Sequence, residues 1–448
     1  MIIIKDRPTV TAVEAKAILD RHTASGGVLI DLDRALDYRT YFNREKKRRA
    51  DKLAKKTGRI DYDVKGATLI QDFKTFFPDQ AVYFRTNLND PYSNTSAEAK
   101  HLEKRIKAGC FSQEAVIHIR EYQEALSVKT AYQNILKYIN LPLLSMESFE
   151  GHRMVLARPE WRILNTGRLG TAEPNIQSLA KTQSDLITYP KGWILLRYDS
   201  GQIEPRITYS VFIKDPVIKD LIIMYDDAYY GQLFFALMDA EELRSIRRGD
   251  RKLVKQEITP EIDKLRGDLK KISLIGNYDG DLSQFDPKLA KAYQDRIVNN
   301  PYRLKMLKEI KEKVAAGQSV FHSFFGTPII PKETSKYTPG TPGWDAHVER
   351  CGLNNPIQAT AADLMCQSVY EQDKLLSEKA SDLSWIGYYK HDEGCTYLHE
   401  KDKHLQEEIA GLTAYQVRDW IPIGCDLDIG IKEPKEPFDY KIKRPEIA

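Results

Sequence analysis

Two short apolar segments of the sequence each lead to an aspartate. The run WILLRY, residues 193–198, is followed by Asp199, and the run WIGY, residues 385–388, leads to the adjacent acids Asp392 and Glu393. A lone pair of acids after a strand is typical of a solvated turn. If the two strands are neighbours, however, Asp199 and Asp392 can bridge two divalent ions roughly 3.5 to 4 Å apart, which is the arrangement used in phosphoryl transfer. Hard oxygen ligands favour magnesium over zinc.

The surrounding segments predict the elements that must position these acids. WILLRY has the compact apolar pattern of a buried strand, and short apolar runs return near the C-terminus in WIGYY and WIPIGCDLDIGI. Between them, residues 215–317 read as mostly helical. The clearest helix is predicted over residues 112–139, capped by Ser112. Helices are also predicted from about residue 33 to 138, around a polar loop at residues 87–95.

Composition limits the class of protein. The chain has 448 residues, of which 29% are charged and 42% hydrophobic, so it is predicted to be globular and to contain about two to four subdomains. Its apolar runs are far shorter than the roughly 20 residues that a membrane span needs, and the start MIIIKDRPT lacks the pattern of a signal peptide. The five cysteines are scattered without a C-x-x-C pair, which argues against disulfides and zinc. An intracellular protein is therefore expected.

One segment is strongly basic. Residues 43–59, NREKKRRADKLAKKTGR, contain nine basic and two acidic side chains, a net charge of +7. A solvated helix face is the ordinary explanation of such a run, and phosphate binding is the alternative.

Five segments resemble one known family. DSGQIEPR, residues 199–206, is similar to motif A of the family A DNA polymerases, the bacterial DNA polymerase I class, which reads D-Y-S-Q-I-E-L-R. HDE, residues 391–393, matches their motif C, and LRGDLKKISLIGNYDG, residues 265–280, resembles their motif B. TGRLGTAEPNIQSL, residues 166–179, and ERCGLNNPIQATAADLM, residues 349–365, are similar to two further segments of the family. All five occur in the family's order, and the resemblance covers nearly the whole chain.

The resemblance implies an α+β right-hand polymerase fold, with an antiparallel palm sheet, a helical thumb and helical fingers. The implied domains are residues 1–32 as an N-terminal segment packing on the palm, 33–145 as thumb, 146–214 as the first part of the palm, 215–345 as fingers and 346–448 as the second part of the palm.

The implied activity is that of a DNA-templated DNA polymerase, a nucleotidyltransferase of DNA replication. It extends a primer 3′-hydroxyl with dNTPs and uses two Mg²⁺ ions, for which Mn²⁺ can substitute. Asp199, Asp392 and the backbone carbonyl of Ser200 are the implied metal ligands, whereas direct ligation by Glu393 is not assumed. Lys270 is the implied third catalytic residue, placed to protonate the pyrophosphate leaving group.

The residues that match the family's nucleotide site are Gln202, Glu204, Arg266, Lys270, Leu274 and Tyr278. Three of them, Arg266, Lys270 and Leu274, are spaced four apart and so form one stripe on a helix, although an isolated basic pair at this spacing is typical of a solvated face. By resemblance the two cations bind the triphosphate and Glu204 excludes a 2′-hydroxyl.

The residues that match family contacts to primer or template are Arg168, Asn175, Gln177, Gln358, His391 and Lys129. Several of these contacts lie in the minor groove, where acceptor atoms are similar for all base pairs. Gln358 has the alternative of a buried amide bonded to backbone. The basic run at residues 43–59 falls in the implied thumb, where phosphate contacts with the duplex would depend on salt.

The chain departs from the family at Ser273, Leu274 and Asp279 in motif B, at Tyr229, which replaces a histidine, and at Pro205, which replaces the usual leucine. The three motif B departures put nucleotide stacking, sugar discrimination at the 3′ position and the flexibility of that helix in doubt, but not the metal site.

Two further acidic motifs invite other interpretations. MYDDAY, residues 224–229, resembles the Y-x-D-D of reverse transcriptases at the wrong spacing, so we interpret it as a turn between helices. Asp31 and Asp33 suggest an exonuclease, but too few residues precede them for a proofreading domain, which is therefore expected to be absent.

Two other functions stay open. A single-subunit RNA polymerase is related, but its motifs lack the equivalents of Glu204 and Glu393. A catalytically inactive DNA-binding accessory protein is the other. The expected partners are primer–template DNA and dNTPs, with no membrane, and a separate exonuclease or replication proteins are further candidates. A monomer in the cytoplasm is expected, or in the host cytoplasm if a phage encodes it.

Overall fold

The computed structural model describes residues 9–86, 88, 95–142, 153–179, 181–210, 215–276, 282–283, 285–318, 320–331, 339–390, 392–413 and 424–429. Of these, residues 100, 181–182, 274, 276, 413 and 424–429 are described by their backbone. The chain divides into two compact units. Unit 1 comprises the described residues within 9–28, 158–177 and 192–429, and unit 2 comprises the described residues within 29–157 and 178–191.

Unit 2 is mainly helical and contains the segment predicted as thumb. Its elements are strand β1 (Val28–Asp31, beginning at the unit boundary), helices α2 (Leu32–Thr57), α3 (Gly66–Phe76), α4 (Ala99–Lys107) and α5 (Gln113–Ile139), and strand β2 (Met154–Ala157), which pairs with β1. The long helices α2 and α5 pack against each other. Apolar side chains such as Phe73, Phe84 and Tyr122 form the core of this unit, and their burial drives the helices together.

Unit 1 is built on a four-stranded antiparallel sheet in the order β10–β5–β9–β8. The strands of unit 1, inside and outside this sheet, are β3 (Glu160–Ile163), β4 (Leu169–Ala172), β5 (Trp193–Gly201), β6 (Phe321–His322), β7 (Pro328–Ile329), β8 (Trp385–Lys390), β9 (Glu393–His399) and β10 (Gly424–Ile429). The pairs β3–β4 and β6–β7 are separate two-stranded hairpins.

The helices of unit 1 are α1 (Ala12–Ser25), α6 (Ile203–Thr208), α7 (Pro216–Tyr225), α8 (Ala228–Leu237), α9 (Ala240–Arg248), α10 (Pro260–Gly276), α11 (Pro287–Tyr293), α12 (Pro301–Ala315), α13 (Pro342–Lys379) and α14 (Gln406–Thr413). Eight of them, α6 to α13, lie in sequence between β5 and β8. The longest, α13, packs against α1, α6, α12 and α14 and also contacts β8.

The interior between the sheet and α13 is polar as well as apolar. The buried hydroxyl of Tyr198 on β5 donates to Gln372 on α13 at 2.6 Å and lies 3.0 Å from the hydroxyl of Thr396 on β9. A Cβ added at Gly394 would come within 1.9 Å of the Tyr198 ring. Glycine is therefore required at the start of β9, because any side chain there would displace this buried tyrosine.

Several predictions of local structure are confirmed. Helix α5 runs from Gln113 to Ile139, and the Ser112 hydroxyl caps it by accepting a hydrogen bond from the Ala115 N–H. WILLRY lies in β5, and the returning apolar runs supply β8 and the strand β10 of the same sheet. Among the described residues, no helix is long and apolar enough to cross a membrane.

Candidate active site

The two aspartates predicted as metal ligands lie on neighbouring parts of one sheet. Strand β5 pairs with β9 so that Asp199 faces Glu393, and Asp392 occupies the turn that joins β8 to β9. The Ser200 N–H donates to the Asp392 carbonyl at 2.9 Å. The backbone thus brings Asp199 and Asp392 together across 193 positions of sequence, as predicted from their strand-end positions. On its other side, β5 pairs with β10, which places Asp426 opposite Asp199 in the ladder.

The surroundings of Asp392 disfavour its charged form. Burial raises the pKa of the Asp392 carboxyl, and the negative charges of Glu204 and Glu393 raise it further, against the opposing charge of Arg168. Like charges gathered at a partly buried site are unfavourable unless a cation neutralises them. A bound cation would favour the charged form of this carboxyl.

Within the described residues, no group of three or more histidine, cysteine, aspartate or glutamate side chains is arranged to hold a metal ion. Two carboxylates and a backbone carbonyl are nevertheless a sufficient protein contribution for magnesium, which usually retains waters and binds substrate phosphates. The partly buried carboxylates of Asp199 and Asp392 therefore fit this ion.

Glu393 has a separate set of partners. Its Oε1 atom lies 3.4 Å from Nη1 of the buried Arg197 and 3.3 Å from the Tyr388 hydroxyl. Arg197 also donates to Tyr388 at 3.1 Å. These contacts direct the Glu393 carboxylate toward the buried Arg197 cation.

Two predicted substrate contacts, Arg168 and Glu204, form an ion pair with each other. Glu204 lies in the first turn of α6, which begins at Ile203 just after the end of β5. Pro205 also lies in this first turn, where a missing N–H breaks no helical hydrogen bond. The pair places a cation and an acid from separate segments close to Asp392, since both contribute to its pKa.

The predicted cation stripe lies on α10, where Arg266 and Lys270 are one helical turn apart. Arg266 donates to the carboxylate of Asp227 through Nε at 3.1 Å and Nη2 at 2.5 Å. Lys270 is exposed, and its ammonium lies 5.8 Å from the centre of the Tyr229 ring. The structure therefore shows one oriented cation and one solvent-exposed cation on the same helix face.

Asp227 is the residue of this region that the sequence reasoning misses. MYDDAY does form a turn between helices, as predicted: Asp226 ends α7 and Asp227 caps α8. The same Asp227 carboxylate accepts a hydrogen bond from the predicted nucleotide-site residue Gln202 at 2.6 Å. Only the capping function is visible in sequence, because the other partners arrive from distant segments.

The predicted primer and template residues are spread over several elements. Gln177 donates to the carbonyls of Leu169 and Tyr389 at 2.8 and 2.7 Å, which occupies its amide protons. The exposed Asn175 accepts from the Thr171 hydroxyl at 3.2 Å. Gln358 is a partly buried residue of α13.

Lys129 lies on α5, in unit 2. Its ammonium donates to the Val64 carbonyl at 3.0 Å and lies 3.4 Å from Asp63. In unit 2 this lysine therefore joins α5 to the segment between α2 and α3.

Some predicted positions lie outside the described residues, namely Tyr278, Asp279 and His391, as does the side chain of Leu274. Two departures from the family lie near each other: burial raises the pKa of the Tyr229 hydroxyl, and the nearby Ser273 side chain opposes that rise.

Asp31 and Asp33, which suggest an exonuclease motif, have local structural partners. Asp31 caps α2 by accepting from the Arg34 N–H at 2.9 Å, and Asp33 forms an ion pair with Arg153 at 2.7 Å.

Comparisons with known proteins agree on the fold. No protein-family model matches the chain. The chain is 26% identical over 259 residues to DNA polymerase I of Aquifex aeolicus (strain VF5), which covers 56% of this chain and 40% of that protein. The structure is similar to that of the POL domain of Pol1 from M. smegmatis, solved in complex with DNA primer-template and dNTP. That match has a TM-score of 0.69 at 16% identity and covers 95% of this chain and 70% of that chain.

The matched segment thus spans less than half the length of the curated relative. The strand-end aspartates Asp199 and Asp392, the two cations of α10, the sequence similarity and the structural similarity all indicate a polymerase fold. The chain has the α+β fold of a DNA polymerase I polymerase domain, and its sequence resembles the polymerase region of the family A DNA polymerases.

Proposed function

We propose that this chain is a DNA-templated DNA polymerase that extends a primer 3′-hydroxyl with dNTPs. The observation that carries the proposal is the hydrogen bond from Ser200 N–H to the Asp392 carbonyl, which joins the two strand ends that carry Asp199 and Asp392. Similarity to a polymerase domain solved with primer-template and dNTP supports the same substrates here.

Asp199, Asp392 and the Ser200 carbonyl would hold two magnesium ions in this proposal. Bound there, the ions would activate the primer hydroxyl and stabilise charge on the leaving oxygen. The protein prepares the site by keeping its carboxylates partly buried and close to other acids, so that their mutual repulsion is relieved when cations bind.

Arg266 and Lys270 are the proposed ligands of the nucleotide triphosphate. Their positions one turn apart on α10 present two positive charges to one elongated anion. Lys270 is exposed, so its ammonium is accessible to a bound triphosphate and could deliver a proton to the departing pyrophosphate.

Glu204 is the proposed sugar discriminator. It begins α6 directly after the strand that carries Asp199, and its ion pair with Arg168 limits the rotamers it can adopt. An oriented carboxylate beside the sugar would exclude a 2′-hydroxyl and so favour dNTPs over rNTPs.

The DNA would be contacted by Arg168, Asn175, Gln177, Gln358, His391 and Lys129, and by the basic helix α2. We further propose that the protein acts as a cytoplasmic monomer, that a separate exonuclease or replication proteins are among its partners, and that a phage is one source of such a chain.

Primer extension tests the proposal. A labelled primer annealed to a longer template is incubated with the chain, magnesium and either dNTPs or rNTPs. We expect template-directed dNTP incorporation that EDTA abolishes and that Asp392→Ala removes. Asp382→Ala is the matched control, because Asp382 is exposed before the opposite end of β8.

Each outcome separates the candidate functions. Preferential rNTP incorporation would indicate an RNA polymerase. Primer–template binding without incorporation by the native chain would indicate an inactive accessory protein and would contradict the proposal.

A further inference from the structure

One carboxylate, Asp227, joins three separate elements of unit 1. Its Oδ2 atom accepts from Gln202 Nε2 at 2.6 Å and from Arg266 Nη2 at 2.5 Å and Nε at 3.1 Å. Gln202 belongs to the turn between β5 and α6, Asp227 to the start of α8, and Arg266 to α10. Two residues of the proposed nucleotide site are therefore anchored on the same oxygen atom.

The Asp227 side chain is itself held in place. Its Oδ1 atom caps α8 by accepting from the N–H groups of Tyr229 and Tyr230, both at 2.8 Å. Burial opposes ionisation of this carboxyl, but the hydrogen bonds from Arg266, Tyr230 and Gln202 hold its pKa below the ordinary value. With both oxygens engaged, the carboxylate is a fixed anionic acceptor.

The Arg266 guanidinium is consequently held by Asp227 along one of its edges. A guanidinium has five N–H groups in a rigid plane, and Asp227 engages those on the Nε and Nη2 edge. The plane lies over two aromatic rings, 5.1 Å from the centre of Tyr230 and 5.6 Å from that of Tyr229. Among the described residues no hydrogen bond involves Nη1, which leaves that edge for a second anion.

Tyr229 contacts both Arg266 and Lys270, the two cations of α10. Its ring is buried, and the ring centre is 5.6 Å from the Arg266 guanidinium and 5.8 Å from the Lys270 ammonium. A buried aromatic face attracts both cations to the same side of the helix.

We propose that Asp227 is a positioning residue for nucleotide binding: it fixes the Arg266 fork and, through the α8 turn that carries Tyr229, holds the two cations of α10 as a preformed triphosphate site. The inference rests on the proposed function. The competing interpretation is that Asp227 binds Arg266 in place of phosphate, so that the nucleotide must displace the carboxylate. Loss of the Asp227 charge should raise the KM for dNTP if Asp227 is a positioning residue and lower it if Asp227 competes with phosphate.

The decisive variant is Asp227→Asn. Asparagine caps helices as well as aspartate does, so α8 should be preserved while the charge that orients Arg266 is lost. We expect the KM for dNTP to rise about tenfold with kcat within about twofold, since an interaction made in both ground and transition states is weakened. A lowered KM for dNTP would overturn the proposal, because it would show that Asp227 competes with phosphate or repels it. An unchanged KM would overturn it as well, because it would show that the Asp227 charge does not position Arg266 for the nucleotide.

Asp226→Asn is the matched control. Asp226 is the neighbouring acid, it is largely exposed, and it pairs with Arg206 rather than with Arg266. Its substitution removes the same charge from the same turn and should leave the KM for dNTP within about twofold. In an Arg266→Ala background, Asp227→Asn should add almost nothing, because the partner that it orients is gone. A further tenfold rise there would also contradict the proposal.

Thermal stabilisation by nucleotide, which needs no catalytic turnover, tests the role of Asp227 separately from the proposed polymerase activity. We expect dATP to raise the melting temperature of the native chain and of Asp226→Asn more than that of Asp227→Asn, whereas dAMP, which lacks the outer phosphates, should not distinguish the three. If the native chain extends no primer, the proposed function fails, but a selective loss of dATP stabilisation in Asp227→Asn would still support the positioning role. Equal stabilisation of all three proteins by dATP would refute it.

Discussion

Charged side chains are arranged in opposite ways in the two units. Between α2 and α5 of unit 2, acids and bases alternate: Lys52 and Lys56 both contact Glu121 at 3.0 Å, and Arg49 contacts Glu124. At the strand ends of unit 1, acids gather near other acids, and burial with like charge raises the pKa of Asp392. Exposed ion pairs stabilise helices slightly, whereas a carboxylate that is partly buried near other acids costs stability and persists where a site needs it.

The basic run in residues 43–59 has less positive charge available for DNA than its sequence suggests. Its net charge of +7 suggests a surface devoted to phosphate. In the structure several of its cations already have acidic partners within unit 2, including Arg59, which contacts the buried Asp72 at 2.6 Å. Net charge over a helix therefore overstates the charge available to DNA, because acids on a packed neighbour are not counted.

The largest effect is expected at the acid cluster. Asp392→Asn should lower the rate of nucleotide incorporation by about a thousandfold or more, since one of the two proposed metal-binding carboxylates is neutralised. Single-turnover primer extension measures the rate, with Asp382→Asn as the control that keeps normal activity. Near-normal incorporation by Asp392→Asn would show that this cluster is not catalytic.

The cations of α10 come next. Lys270→Ala should lower kcat by about a hundredfold, because a proposed proton donor is removed. Its neighbour Lys271 is also exposed but contacts Asp268 at 3.1 Å, so Lys271→Ala should change kcat by no more than about twofold. Equal losses in the two variants would mean that only the general charge of α10 matters.

The same acid cluster yields a prediction of stability with a pH dependence. The folded-state pKa of Asp392 is raised, so ionising it costs stability as pH rises through the unfolded value and up to the folded one. Without metal, Asp392→Asn should stabilise the chain by about 1 kcal/mol at neutral pH. The gain should disappear as pH falls below the ordinary carboxyl pKa.

Urea unfolding in EDTA at several pH values measures this gain. A loss of stability in Asp392→Asn at neutral pH would mean that the carboxylate has a compensating partner, and the contrast between the two units would then be wrong.

The smallest effect is expected between α2 and α5. Glu121→Gln should lower the free energy of unfolding by about 0.5 kcal/mol, because exposed ion pairs contribute little. The loss should shrink in 1 M salt, and a double-mutant cycle with Lys56→Ala isolates the pair. A loss of several kcal/mol that ignores salt would show a buried structural interaction instead.

The sequence was most informative where a local pattern determines a local structure. The periodicity and cap of α5, the apolar run of β5 and the turn in MYDDAY all depend on residues within a few positions of one another, and the structure confirms each. The side chain of Gln177 was harder to predict. Its amide bonds to Leu169 and Tyr389, and Tyr389 is more than two hundred residues away.

By itself the sequence determined which residues are the candidates for the chemistry: two aspartates after apolar strands, and two cations spaced by one helical turn. Tertiary structure alone decided their partners. Strand pairing places Asp199 beside the Asp392 turn, and helix packing gives Arg266 the Asp227 carboxylate and both cations the Tyr229 ring. The physical reason is that side-chain identity and local spacing are written along the chain, whereas electrostatic neutralisation depends on atoms within a few ångströms, which folding brings together from distant segments.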